Sequence, residues 1–297
     1  MRVFCFSLLA SLFSLTAWAE TEAQDETPII IGTQYMLQSD VLGDVREINV
    51  WLPAGYEEGR EIGGTVYLLD GALDQDFQHI AGLAQLGALS WTFEPLIIVG
   101  VETKDRQHEL TTYPTDARFQ HGFPQAGGAE DFRAFLRDEV QPFIEARYRT
   151  GPRSVLAGES LAGLFVVDTF LGSPDAFDDY IAVSPSLWWD GGNLAASSRA
   201  QLDLHAPSER RLFLALADEG DMMKFGMDML RAALADIPES FVDYAFHDFS
   251  ATETHATILH PAMLKAFRSL FEMPQPDYET PWWMDEFGEP PGYEAQP

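Results

Sequence analysis

Short runs of consecutive apolar residues alternate along this chain with longer stretches of helical periodicity. Short apolar runs are typical of strands buried on both faces, and they predict strands at 66–69, 96–101, 154–157, 180–183 and 212–217. A further strand is predicted over 241–246. Two earlier strands are predicted over 29–36 and 47–53, with turn residues at 41–44 between them. Apolar residues at helical spacing predict helices over 77–89, 129–148, 161–171, 224–236 and 257–271. The alternation predicts an α/β domain, in which a mainly parallel central sheet is covered by helices on both faces.

The N-terminus has the pattern of a secretory signal peptide. Arg2 precedes an uncharged apolar stretch that extends to Ala17, and Ala17-Trp18-Ala19 provides small residues where a signal peptidase would cut. We therefore expect cleavage after Ala19 and a periplasmic or secreted protein. The apolar run is too short for a spanning helix, so no membrane span is expected after cleavage.

The remaining chain is divided by composition. Residues 20–28 are a flexible acidic lead, 29–272 the α/β domain, and 273–297 a tail rich in proline, acidic and aromatic residues. The single cysteine, Cys5, lies in the signal, so the mature protein contains neither a disulfide framework nor a thiolate zinc site.

The net charge of the chain limits the classes of molecule that it can bind. The 297 residues contain 18 Lys and Arg against 47 Asp and Glu, a net charge of −29, and loss of Arg2 with the signal makes it −30. Nucleic acid is excluded as a partner because phosphate binding requires surplus cations. The hydrophobic content of 46% is enough to build a core and excludes a disordered chain.

The segment Gly158-Glu159-Ser160-Leu161-Ala162-Gly163 is the candidate catalytic motif. It lies between a predicted buried strand and a predicted helix, which is the context of a nucleophile elbow. Small residues are needed two positions before and after the nucleophile; Gly158 fulfils the first condition, and Ala162 stands where glycine is usual. We predict Ser160 as the nucleophile.

A serine needs a base to take its proton. His255 follows the last predicted strand, where the histidine of such a set belongs, whereas His247 at the strand end is the reserve candidate and His260 lies within a helix. The acid should follow strand 212–217, where Asp218, Glu219 and Asp221 are all available. Spacing alone does not choose among these three carboxylates.

Two backbone N–H groups should form the oxyanion hole. One is that of Leu161, which follows the nucleophile at the helix N-terminus. The other should come from the loop after strand 66–69, at Ala72, where Gly71 would let a substrate oxygen approach the backbone.

At this point the chain resembles the α/β-hydrolase family that groups siderophore (enterochelin-type) esterases, esterase D-like enzymes and mycolyltransferases. The resemblance extends over about 30–271 and is carried by matching segments at 66–71, 99–111, 158–163, 184–189 and 253–255. It implies an α/β-hydrolase fold and hydrolysis of a carboxylic ester through an acyl-enzyme, with no metal and no cofactor. Similar members have Asn-Glu-Gly where this chain has Asp218-Glu219-Gly220, which favours Glu219 as the acid. It also implies that Arg106, Trp188 and Trp189 line or brace the substrate cleft, and residues 105–128 would form the insert that decides specificity.

Three alternatives stay open beside a secreted serine esterase that acts on a small-molecule ester. The same residues could transfer the acyl group to an alcohol instead of water. A catalytically silent binding protein could keep the fold, although it would have no need of Ser160, His255 and the acids together. A metal site at His247, His255 and His260 is disfavoured, because their spacing fits no standard ligand pattern.

Overall fold

The computed structural model describes residues 27–207, 209–238, 240–274, 282–288 and 290–291. The predicted signal peptide lies outside these residues, as does the acidic lead before Thr27. Residues 27–31 are exposed and form no helix or strand. No helix within the described ranges has the length and apolar content needed to span a bilayer.

The described residues form one sheet of eight strands in the order β1-β2-β4-β3-β5-β6-β7-β8. The strands are β1 Thr33–Gln38, β2 Val45–Trp51, β3 Gly64–Leu68, β4 Leu96–Val101, β5 Ser154–Glu159, β6 Asp179–Val183, β7 Arg211–Leu216 and β8 Asp243–Asp248. The pairs β1–β2 and β2–β4 are antiparallel and all others are parallel. The mainly parallel sheet expected from the sequence is thus confirmed.

Helices cover both faces of the sheet. They are α1 Phe77–Ser90, α2 Arg106–Glu109, α3 Ala117–Gly122, α4 Ala129–Phe135, α5 Gln141–Glu145, α6 Leu161–Gly172, α7 Asn193–Leu202, α8 Asp221–Ala235, α9 Leu259–Leu270 and α10 Trp282–Phe287. A π-helical turn, Leu136–Val140, joins α4 to α5, so the helix predicted over 129–148 is irregular. Pro142 has no N–H to donate to the residue four before it, which favours a departure from α-helical bonding near this point.

The core has two parts because successive strand side chains point to opposite faces of the sheet. On β4, Ile97 and Val99 pack into the cluster that contains Phe132 and Phe165 of α4 and α6. Ile98, between them, packs into the opposite cluster, which contains residues of α1 and α9. The strand is buried on both faces, which explains its continuous apolar run.

Two differences from the sequence expectations have local causes. The last strand begins at Asp243 instead of 241, because Phe241 N–H closes a turn on the carbonyl of Pro238. Helix α7 was not predicted, since its sequence NLAASSRAQL has little apolar periodicity. Helix α10 forms within the tail.

The parallel register aligns the carboxyl ends of the strands that carry the candidate residues. Val183 at the end of β6 pairs with Glu159 of β5 on one side and with Ala215 of β7 on the other. The loops after β5, β6 and β7 therefore leave the sheet side by side. An isolated parallel bridge between Asp218 and Thr254 brings the loop after β8 beside the loop after β7.

Candidate active site

Ser160 occupies a sharp turn between β5 and α6. Its backbone has φ 62° and ψ −118°, a conformation that non-glycine residues rarely adopt and that is often held in place at active sites. A Cβ on Gly158 would lie 2.6 Å from the Cβ of Ala162, so the glycine is required by the tightness of the turn. Ala162 itself is fully buried and fits as the second small residue.

The side chains of Glu219 and His255 are hydrogen-bonded across two loops. Glu219 Oε2 lies 2.9 Å from His255 Nδ1, and its other oxygen accepts a hydrogen bond from the Ser184 hydroxyl. The Glu219 side chain is 4% exposed, whereas that of His255 is 48% exposed. A buried carboxylate thus orients an accessible imidazole and leaves Nε2 directed away from the acid.

These contacts displace the pKa values of both groups. The hydrogen bond to Glu219 raises the pKa of His255 despite partial burial, and the negative charges of Glu219 and Glu159 add to the rise. Burial would raise the pKa of Glu219, but the hydrogen bonds from His255 and Ser184 outweigh it and lower that pKa. The geometry therefore stabilises an imidazolium beside an ionised carboxylate.

The other two candidate acids lie elsewhere. Asp218 and Asp221 have exposed side chains, and Asp221 begins α8. The backbone N–H of Asp218 donates to the carbonyl of Glu253 at 3.0 Å, so this residue ties the two loops together through its main chain. Of the three carboxylates, Glu219 is the one hydrogen-bonded to His255.

Ser160 and His255 line one cavity of about 450 Å³. The lining residues are Arg106, Gln107, Phe123, Ser160, Leu161, Ser186, Trp188, Trp189, Glu219, Met223 and His255. Ser160 Oγ is 3.4 Å from Ser186 Oγ; among the described residues no hydrogen bond joins it to His255. Catalytic hydrogen bonds of unliganded enzymes are often long and shorten when substrate binds. Arg106, Trp188 and Trp189 are thus brought to the candidate nucleophile, together with Gln107 and Phe123 of the predicted insert.

The two oxyanion candidates differ in their surroundings. Leu161 is the first residue of α6, where a backbone N–H has no acceptor within the helix. The N–H of Ala72 instead donates to Gln75 Oε1 at 3.0 Å, so in this conformation it is occupied. Gly71 is not part of the cavity lining: its Cα faces β4, where an added Cβ would lie 2.4 Å from Gly100 Cα. Close strand packing, and not substrate approach, is what requires glycine there.

Several residues of the site were not singled out as site residues from the sequence. Ser184, which is fully buried, has φ 41° and orients Glu219, while Ser186 faces Ser160. Both belong to the segment 184–189 that carries the family resemblance, which was the available signal. Glu159 has a buried Oε1 with no partner among the described residues, and burial raises its pKa to about 7.

The histidines outside the site have other contacts. His247 stacks on Phe213 with ring centroids 4.9 Å apart, and His260 Nδ1 lies 3.1 Å from His79 Nε2. Within the described ranges no three or more His, Cys, Asp or Glu side chains are grouped so that they could hold a metal ion.

Comparison with known proteins places the chain in a family. The sequence profile described as "Putative esterase" matches residues 39–225. Ferri-bacillibactin esterase BesA of Bacillus subtilis is 30% identical over 197 residues, which cover 59% of this chain and 66% of that protein. Siderophore enterobactin esterase of Emericella nidulans is 30% identical over 174 residues, which cover 52% of this chain and 57% of that protein. The chain therefore spans less than two thirds of the length of these curated relatives.

Solved structures agree with the fold. An IroE-like serine hydrolase from Shewanella oneidensis has a TM-score of 0.70 at 27% identity, over 81% of this chain and 80% of that one. The BES protein from Bacillus cereus has a TM-score of 0.72 at 23% identity, over 84% of this chain and 100% of that one. At this identity the similarity is evidence for the fold alone. Because the family profile covers more than half of the residues, this chain belongs to the esterase family of α/β hydrolases.

Proposed function

We propose that this protein is a serine hydrolase that cleaves a carboxylic ester through an acyl-enzyme. One observation carries the proposal: Ser160, His255 and Glu219 line a single cavity, and the buried carboxylate of Glu219 lies 2.9 Å from His255 Nδ1. Family membership and relatives named as siderophore esterases support the same chemistry.

In the proposed mechanism, Ser160 Oγ attacks the ester carbonyl carbon while His255 Nε2 takes the hydroxyl proton. Nε2 is free for this role because Nδ1–H donates to Glu219. The bond to the alcohol oxygen then breaks, and His255 returns the proton to the leaving alcohol. Water, deprotonated by the same nitrogen, attacks the acyl-enzyme; the carboxylic acid leaves and Ser160 is restored.

The negative oxygen of the tetrahedral intermediate needs N–H donors. The Leu161 N–H at the start of α6 is the first donor. Ala72 N–H can be the second only after it releases the Gln75 side chain, so a substrate that displaces this contact would complete the hole.

The N-terminal sequence supports export of the protein. The pattern of Arg2, the apolar stretch and Ala17-Trp18-Ala19 predicts a mature chain that begins at Glu20. N-terminal sequencing of the protein expressed with its leader in a bacterial host tests this, and an intact Met1 in an exported protein would contradict it.

The test of the chemistry is turnover of p-nitrophenyl acetate by the wild type and by Ser160→Ala. We expect kcat to fall by about 10⁴-fold or more in the variant, with an unchanged melting temperature. A wild type as inactive as the variant, across acyl lengths and siderophore esters, would exclude the esterase.

A further inference from the structure

A second cavity adjoins the one that contains Ser160. It measures about 490 Å³ and is lined by Arg118, Phe119, Phe123, Trp188, Gly191 and Met222. Phe123 and Trp188 line both cavities. The two cavities are therefore neighbours that share these two rings.

The wall of the second cavity is aromatic and partly accessible. Phe119, Phe123 and Trp188 are each half-buried, with the Phe119 ring 5.9 Å from that of Phe123 and 6.2 Å from that of Trp188. Trp189, which lines the first cavity and is 3% exposed, packs with its ring 4.9 Å from the Phe123 ring. Open aromatic faces gain most from a ligand that covers them with apolar or aromatic surface.

This wall is held in position by a buried carboxylate. Asp190 is 8% exposed and accepts hydrogen bonds from the backbone N–H of Thr115 at 2.9 Å and of Asp116 at 2.8 Å. It also accepts one from the Thr115 hydroxyl. These bonds fix the start of α3, which carries Phe119, against the segment that carries Trp188 and Trp189, so the cavity is preformed.

Charge in the two cavities does not favour an anionic ligand. Arg106 already pairs with Asp70 at 3.0 Å, and Arg118 pairs with Asp116. The first cavity also contains the carboxylate of Glu219. The lining arginines are thus matched by carboxylates, and the chain as a whole has a net charge of −29.

We propose that this site selects esters with an uncharged aromatic group, which binds in the second cavity against Phe119, Phe123 and Trp188. The inference rests on the proposed esterase function and names its substrate class. Binding removes the aromatic group from water and leaves the Arg118–Asp116 pair intact. An anionic group of the same shape would be desolvated without a new partner, and its binding would be weaker.

Three ethyl esters, whose hydrolysis is followed by titration of the released acid, test the proposal on the acyl side: the acetate, the 4-phenylbutanoate, and the 4-phenylbutanoate with a carboxylate in the para position of the ring. The corresponding phenylalkyl alcohols, esterified with acetic acid, test the alcohol side. On one of the two sides we expect kcat/KM to rank the neutral aromatic ester about tenfold or more above both the small ester and the carboxylated one.

Variants test whether the second cavity, and not the catalytic residues, determines the preference for an aromatic ester. Phe119→Ala should lower kcat/KM for the neutral aromatic ester about tenfold more than for the acetate. Met222→Lys should add a cation to the lining of the second cavity and raise kcat/KM for the carboxylated ester relative to the neutral one. The matched control is Leu86→Ala, an exposed apolar residue of α1, which should leave all ratios unchanged.

The outcomes distinguish this inference from the proposed function. Ser160-dependent hydrolysis with no aromatic preference on either side, or with a preference for the carboxylated ester, would overturn the substrate class alone. If no ester is hydrolysed, the esterase proposal fails, and equilibrium binding of the neutral and carboxylated esters to Ser160→Ala still decides the inference. Equal binding of the two would overturn it.

Discussion

Two buried carboxylates lie at opposite ends of neighbouring strands and have different partners. Asp179 begins β6 and is fully buried, and each of its oxygens receives hydrogen bonds from both Arg153 and Arg211, at 2.5 to 2.7 Å. Glu219 follows β7 and is 4% exposed, but its partners are a serine hydroxyl and an imidazole. Each carboxylate is buried and hydrogen-bonded, so burial alone does not distinguish Asp179 from the proposed catalytic acid Glu219.

The difference lies in what the partner can do. Arginine keeps its proton under all ordinary conditions, so the two partners of Asp179 cannot act as bases, and the network ties the starts of β5, β6 and β7 together. Histidine can gain and lose a proton near neutral pH, so the partner of Glu219 can act as a base. The comparison predicts that loss of Glu219 reduces the rate, whereas loss of Asp179 reduces stability.

The largest effect is expected for Glu219→Gln. Without the carboxylate, His255 loses both its orienting acceptor and the charge that stabilises the imidazolium, so kcat should fall by about 10³- to 10⁴-fold. The wild-type rate should rise with pH through the pKa of His255, which lies above its usual value because of Glu219, and the variant should show this rise at lower pH. The pH profile of kcat/KM measures both. Asp218→Ala and Asp221→Ala serve as controls, and a comparable loss in either one would contradict the choice of Glu219.

A smaller effect is expected for Asp179→Ala, and it concerns the stability of the fold instead of the reaction rate. Removal of one member of a buried ion network leaves two cations without their partner and should lower the free energy of unfolding by about 3–5 kcal/mol. Urea denaturation measures the loss, and kcat per folded molecule should stay within about twofold of the wild type. Asp138→Ala, which breaks the exposed pair with Arg137, is the matched control and should change neither. A fall in kcat as large as that of Glu219→Gln would remove the distinction between the two carboxylates.

The smallest effect is expected for Glu159→Gln. Burial raises the pKa of Glu159 to about 7, so it becomes ionised as the pH rises through neutrality, and its charge then helps to raise the pKa of His255. The amide removes this contribution, so the rise of kcat/KM with pH should move to lower pH, with a change of less than about tenfold at any pH. The negative charges of Asp76 and Glu219 raise the pKa of Glu159 further, whereas Arg106 lowers it. A rate profile identical to that of the wild type would contradict a contribution of Glu159 to the pKa of His255.

The fold could be predicted where the pattern of apolar residues is unambiguous. The strand predicted over 96–101 has the same bounds as β4, and the helix predicted over 77–89 differs from α1 by one residue. The reason is that the strand is one continuous apolar run, whereas the helix has apolar residues at helical spacing. Helix α7 could not be found, since it packs through alanine and serine with few large apolar residues. Strand β8 begins two residues later than the sequence predicts, because the turn that starts at Pro238 precedes it.

The sequence predicts which kinds of residue form the candidate site, but it predicts fewer of the contacts between them. Ser160 and His255 follow from the order of elements, whereas spacing leaves the acid open among three carboxylates within four residues, and only family resemblance favours Glu219. The structure distinguishes them through side-chain direction, which sequence spacing does not contain. The contact between Ala72 N–H and Gln75 likewise depends on the direction of a side chain three residues away, which the sequence of the loop does not reveal.

The sequence by itself determined the class of fold, the strand–serine–helix turn and the acidic character of the chain, because these depend on local periodicity, residue size and composition. Only the tertiary structure decided which carboxylate meets His255, that Ser184 orients it, and that aromatic residues of two distant segments form one wall beside Ser160. The physical reason is the parallel register, which brings the carboxyl ends of β5, β6 and β7 to one edge of the sheet. Residues far apart in the chain meet there, and their hydrogen bonds and charges exist only once the strands have paired.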